Sequence, residues 1–250
     1  MKQEGKYLYG IIATDEAPNF GSIGIGGKDD EVVTVSTNGL AAVVSNSDSD
    51  HYVFSRENMA SHMRVLEKAM ERFTILPMRF GTVAESTDEI ISFLEQNKRT
   101  LKGRLKDLDG KVEVGIKILW RDMKEIYEEI VKENRAIRAV KEKGAQNREA
   151  LIRAGEMVEA ALEEKKAVEG DEYLGFLKRG PVEFKRAEIK LEDVVVDASF
   201  LLDRDWLPEF DGKIEKINQD HNGRIDIHYV GPMPPVSFVD LELHWSGGRG

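Results

Sequence analysis

Apolar positions recur along the chain with two periods, and these set out its elements. Val112, Val114, Ile116, Ile118 and Trp120 alternate with Glu113, Gly115 and Lys117, the pattern of a strand with one face in a core. Residues 7–13 read as a first strand. Residues 31–36 and 40–44 flank Thr37-Asn38-Gly39, and Asn-Gly takes the positive φ angles of a tight hairpin. Residues 194–202 are β-rich, and residues 224–229 alternate again. Spacings of three and four mark the helices. After Ser55, a candidate N-cap, Met59, Met63, Leu66, Met70 and Phe73 fall on one helical face. Ser86-x-x-Glu89 is a capping box, followed by Ile90, Leu94, Leu101, Leu105 and Leu108 on one face. Residues 121–142 and 145–169 read as long helices with a break near Gly144; Ile126, Ile130, Ile137, Leu151, Ala154, Val158 and Leu162 face inward. Residues 206–218 carry Phe210, Ile214 and Ile217 at helical spacing, while residues 182–190 fit either a strand or a helix.

This order predicts an α+β chain of two domains. Residues 1–109 form an N-terminal unit with a hairpin and two helices. Residues 110–245 run strand, helices, one or two strands, helix, strand, the order of a ferredoxin-like βαββαβ domain, and end in an extended Pro-rich segment. The tail 246–250, Ser-Gly-Gly-Arg-Gly, reads as flexible, whether native or vector-derived, and stands outside the fold.

Composition narrows the function. A net charge of -10 argues against a nucleic-acid footprint, which needs a clustered basic surface. There are no cysteines, so no disulfide, thiol nucleophile or thiolate metal site is available. No apolar run reaches the ~18 residues of a membrane span. The N-terminus does not resemble a signal peptide, so a cytoplasmic location is expected.

The motifs of catalysis and cofactor binding fail on spacing. In GSIGIGGKDD, Gly27-Lys28 is followed by Asp29 rather than Ser or Thr, and Ser22 stands where a phosphate loop needs its first glycine. The third glycine of a dinucleotide fingerprint is also replaced by Asp29, so residues 14–30 read as a flexible loop. Asp48, Asp50 and His51 do not fit a calcium loop, because its sixth and twelfth positions hold Val53 and Met59; a solvated turn is expected. The five histidines make no HxH or HxxxH pair, and no G-x-S-x-G elbow surrounds Ser36, Ser45 or Ser199. His62 reads as a boundary residue of its helix. Arg135, Arg138 and Lys141, interleaved with Glu133 and Glu142, read as a solvated face. No cofactor or metal is expected.

Two stretches are odder than core packing requires. In TILPMRFGTV, residues 74–83, Arg79 lies in an apolar segment between Pro77 and Gly81. It is either semi-buried against a carboxylate or a contact for an anion or partner. In YVGPMPPVSFV, residues 229–239, Pro232, Pro234 and Pro235 remove three backbone donors, which excludes a central strand. Gly231 permits a sharp turn, and Met233, Val236 and Phe238 need an apolar surface, either the protein's own domain junction or a partner.

LPMRFGTV, KVEVGIKILW, FLLDRDWLPEFDGKIEKI and YVGPMPPVSFV together resemble the gas vesicle accessory protein family F/L, in order across residues 7–243. One position departs: Val236 stands where the family pattern usually shows tyrosine. The resemblance implies an α/β N-terminal domain, a ferredoxin-like C-terminal domain and a non-enzymatic role. Family members are minor proteins that bind the small hydrophobic shell protein and other accessory proteins while gas vesicles, the flotation organelles, nucleate. The implied location is the cytoplasm and the assembling vesicle. The motif residues Pro77, Arg79, Phe80, Gly81, Gly231, Pro232, Pro234, Pro235, Ser237 and Phe238 become the candidate partner-binding set. The alternatives are an enzyme with a dispersed site around Arg79 and His62, and a small-ligand sensor on the ferredoxin-like fold.

Overall fold

A computed structural model describes residues 5–27, 30–143 and 148–239, with the backbone alone at residues 141–143. The expected break at Gly144, the side chain of Lys141 and the tail 246–250 lie outside the described residues. The chain divides into two compact units, one of residues 1–113 with 232–250 and one of residues 114–231.

The first unit runs β1 (Gly5–Ile12), β2 (Gly21–Ser22), β3 (Glu31–Thr37), β4 (Leu40–Ser47), α1 (Arg56–Met70), β5 (Ile75–Pro77), β6 (Val83–Ala84), α2 (Thr87–Gln96) and α3 (Lys98–Asp107). Its sheet has the order β2-β3-β4-β1-β5, with β6 also on β1. Asn38 and Gly39, at φ 53° and 79°, close the β3–β4 hairpin as their sequence predicts. Ser55 caps α1 through a 3.2 Å bond from the Asn58 N–H. Tyr7, Tyr9, Val43, Val65, Leu66, Ala69 and Ile75 form the centre of the core.

Two sequence expectations need correction here. Residues 14–30 are not simply a flexible loop. Gly21–Ser22 pairs with β3, and Phe20 and Ile25 are buried. Gly26 N–H donates to the Asp30 carboxylate at 2.8 Å, and a Cβ on Gly24 would lie 2.2 Å from the same carboxylate. The glycines therefore let the backbone wrap its own aspartate. The helical run after Ser86 is two helices rather than one, because the Asn97 amide donates to the Phe93 carbonyl at 2.9 Å and leaves helical geometry at φ -101°, ψ 6°. Ser86 caps α2 as expected, while Glu89 reaches back to the N–H of Glu85.

The second unit contains β7 (Lys111–Trp120), which enters it at Val114, then α4 (Met123–Glu133), α5 (Arg135–Lys143), α6 (Arg148–Leu177), β8 (Glu183–Arg186), β9 (Val194–Asp203), α7 (Leu207–Asp220) and β10 (Ile225–Met233). The sheet order β10-β7-β9-β8 is the ferredoxin-like arrangement, and residues 183–186 resolve as a strand. Val114, Ile116, Ile118 and Trp120 are buried on β7, joined by Phe200, Phe210 and Ile217. A further helix break falls at Asn134, whose side chain accepts from the Ala136 and Ile137 N–H groups and so starts α5. Leu151, expected inward, is 55% exposed, so the inward stripe of α6 holds from Leu162 onward and not at its start. Arg224 joins Glu129 and, at 2.7 Å, Glu169; Lys165 lies within 3.6 Å of both carboxylates and of Glu133.

The observed division falls after Glu113 rather than Asp109, and the segment from Pro232 groups with the first unit rather than the second. Residues 1–109 alone hold β1 to β6 and the core around Tyr7 and Leu66. A fragment of those residues is expected to give a dispersed amide NMR spectrum. A collapsed spectrum would show that the first unit needs residues 232–239.

Candidate functional site

The first candidate stretch is built along the edge of β1. Ile75, Leu76 and Pro77 pair with Ile12, Ile11 and Gly10, and Val83 and Ala84 pair with Tyr7 and Lys6. Between them residues 78–82 join β5 to β6 outside the paired residues; on the other side of β1 its register against β4 shifts between Leu8 and Gly10. Both shoulders of the turn are fixed. Met78 N–H donates to the Tyr9 carbonyl at 2.8 Å, and Leu8 N–H donates to the Thr82 carbonyl at 2.9 Å. Thr82 closes it by donating from its N–H and hydroxyl to the Arg79 carbonyl at 3.2 and 2.6 Å. Gly81 sits at φ 83°, where a side chain is strained, and its N–H donates to the Tyr7 hydroxyl at 3.0 Å.

This geometry corrects the expectation of a semi-buried Arg79. Pro77 is buried, but Arg79 is exposed and makes no ion pair among the described residues. The turn lifts it off the sheet, so no carboxylate is required to compensate burial. Phe80 is half-buried and packs edge-on against Phe54 at 5.6 Å and against the His62 ring at 5.7 Å. Val53 and Phe54 are each 77% exposed, so an apolar surface adjoins Arg79. The sequence carried no signal for it: an apolar residue just before an N-cap usually packs onto the helix, yet Phe54, beside Ser55, remains largely in solvent.

His62, expected as a boundary residue beside the apolar stripe of its helix, is 3% exposed. Its Nδ1 lies 2.9 Å from the Tyr7 hydroxyl, and its ring sits among Tyr7, Tyr9 and Phe80. Burial pushes its pKa from 6.5 down to about 4, opposed by a hydrogen bond to the Met78 carbonyl. Burial likewise raises the Tyr7 hydroxyl to about 12. His62 is thus buried and Arg79 exposed. Among the described residues no cluster of His, Asp or Glu is arranged to hold a metal ion.

The second stretch is organised differently from its sequence reading. Gly231 has φ 131°, but β10 continues through exposed Pro232 to Met233 before the chain leaves it. That is compatible with proline because β10 is an edge strand. Pro234 and Pro235 are buried, and Val236–Phe238 form a short 3-10 turn. Of the three side chains expected to need an apolar surface, Met233 and Phe238 are half-buried and Val236 is exposed. A polar hold comes from Glu113, which is fully buried. Its two carboxylate oxygens accept the Ser237 N–H at 2.8 Å and the Ser237 hydroxyl at 2.5 Å. Alternation had placed Glu113 on the polar face of β7, and nothing local marks a partner 124 residues away.

Residues 5–240 match a family described as gas vesicle synthesis protein GvpL/GvpF. Gas vesicle protein F of Nostoc sp. is 27% identical over 244 residues, covering 95% of this chain and 98% of that protein. The Streptomyces sp. protein F is 29% identical over 239 residues, covering 94% and 99%. The crystal structure of gas vesicle protein GvpF from Anabaena sp. superposes with a TM-score of 0.83 at 26% identity, over 95% of this chain and 99% of that one. That of GvpF from Microcystis aeruginosa gives 0.77 at 27% identity with the same coverage.

Proposed function

Because the chain belongs to the gas vesicle synthesis protein GvpL/GvpF family, with a role in gas vesicle formation, we propose that it is a non-catalytic accessory protein of assembly. It binds the small apolar shell subunit and other accessory proteins while a vesicle nucleates, in the cytoplasm and at the assembling vesicle. The contact surface is the Arg79–Phe80 turn with Val53 and Phe54. The observation that carries this reading is the 77% exposure of Val53 and Phe54 beside an arginine with no ion pair among the described residues. A subunit destined to face gas is apolar and aggregates when free. An apolar patch on a protein of net charge -10 gives it cover while the complex stays soluble.

Immobilised shell protein is expected to capture the wild type and to lose Phe54→Ser and Arg79→Glu. Both side chains are exposed, so the stability of each variant should stay within about 0.5 kcal/mol of wild type. No capture of the wild type at low salt would sink the reading. Undiminished capture of both variants would move the contact elsewhere.

A further inference from the structure

The exposed turn is held from below by one buried hydrogen-bond chain. The Tyr7 hydroxyl accepts the Gly81 N–H at 3.0 Å, so its own proton needs an acceptor. Tyr7 is fully buried, and His62 Nδ1 lies 2.9 Å from that oxygen. Nδ1 therefore carries no proton and accepts from Tyr7. The ring's remaining nitrogen holds the proton and serves as donor toward the Met78 carbonyl. His62 thus meets both ends of the Met78–Gly81 segment, one directly and one through Tyr7. Phe80, between those ends, rests on the imidazole itself.

We propose that His62, as its neutral tautomer, is the positioning residue of the Arg79 turn, fixing the geometry in which Arg79 and Phe80 face a partner beside Phe54. This rests on reading that surface as the contact surface. The donor arithmetic makes the hold specific to the neutral ring. A proton on Nδ1 would leave the Tyr7 hydroxyl proton without an acceptor in a fully buried place, which is costly. The other titratable groups around the ring are Tyr7 and Tyr9 from β1, with Tyr52 beyond Tyr7. The hydroxyls of Tyr7 and Tyr9 are pushed upward by burial. Neither therefore offers a negative charge to compensate an imidazolium.

The test compares His62→Gln, whose amide both donates and accepts, with His62→Leu, which does neither. Amide hydrogen exchange on the isolated protein reads the turn, and capture by immobilised shell protein reads the surface. In His62→Leu, Gly81 exchange should accelerate roughly tenfold or more while Leu66 in α1 stays protected, and capture should fall with it. His62→Gln should keep both. Acidifying the wild type from pH 6 to pH 4 should loosen Gly81, and His62→Gln should show no such step. Gly81 still protected in His62→Leu overturns the proposal. So does a loosened turn with undiminished capture. If His62→Leu does not fold, the acid step decides: a step retained in His62→Gln overturns it. Failure of the wild type to be captured at all would strike the contact-surface reading while leaving the exchange result to judge the hold on the turn.

Discussion

Ser237→Ala is expected to destabilise the protein by about 2 kcal/mol, a large effect for an exposed serine. The reason lies in its partner. Glu113 is fully buried, and its carboxylate accepts both the N–H and the hydroxyl of Ser237. Removing the hydroxyl leaves one buried carboxylate oxygen without its donor, and hydrogen bonds to charged groups contribute roughly 1.5–3 kcal/mol. Glu113→Gln should cost less than that, since its amide oxygen can still accept the Ser237 N–H while its NH2 donates to the Ser237 hydroxyl, which accepts as well as donates. Glu113→Leu combined with Ser237→Ala should recover part of the loss, because no buried charge then remains to be satisfied. Urea unfolding of Ser237→Ala, Glu113→Leu and the double variant forms the cycle that checks this. Strictly additive losses would show that the two side chains do not act as a pair.

That pair shows where the sequence stops being informative. Elements set by neighbours in sequence were legible. Asn38-Gly39 closes its hairpin by backbone preference, Ser55 and Ser86 cap by reaching three residues on, and the alternation on β7 reports burial at Val114, Ile116 and Ile118. The strand and helix order of the ferredoxin-like unit followed from the same local periods. What failed depends on residues far apart in the chain. Glu113 reads as polar and outward because alternation knows nothing of a segment returning after β10. His62 reads as a boundary residue because its partners, Tyr7 and the Met78 carbonyl, come from β1 and from the turn after β5. For Arg79 the apolar neighbours leave a semi-buried residue and a contact residue both open, whereas the turn closed by Thr82 and Gly81 leaves it exposed. The candidate site was therefore legible as two unusual motifs. Which of their residues face solvent and which hold the fold was not.

Acid should destabilise the first unit well above the pH at which its carboxylates protonate, by about 3 kcal/mol between pH 7 and pH 4. The cause is His62, whose pKa is about 4 in the fold against an ordinary 6.5. Between those values the unfolded chain takes up a proton that the folded chain refuses. The contribution is thus fully present above pH 6.5 and is lost as the pH falls toward 4. The paired carboxylates of the second unit act later, and on that unit. Glu129, Asp171 and Asp226 are held below their ordinary values of 4.5, 3.8 and 3.8, chiefly by hydrogen bonds from Arg224, Arg186 and Arg121. Their stabilisation is lost only as the pH drops through that lower range. His62→Gln should remove the early slope and leave the later one, so the stability difference between the two proteins, read from urea unfolding, should shift by about 3 kcal/mol against the wild type as the pH falls from 7 to 4. The imidazole proton resonances of His62 should show no titration above pH 5 in the wild type. A His62 resonance that titrates near 6.5, or equal pH slopes in the two proteins, would mean that the ring reaches water and that burial does not set its charge.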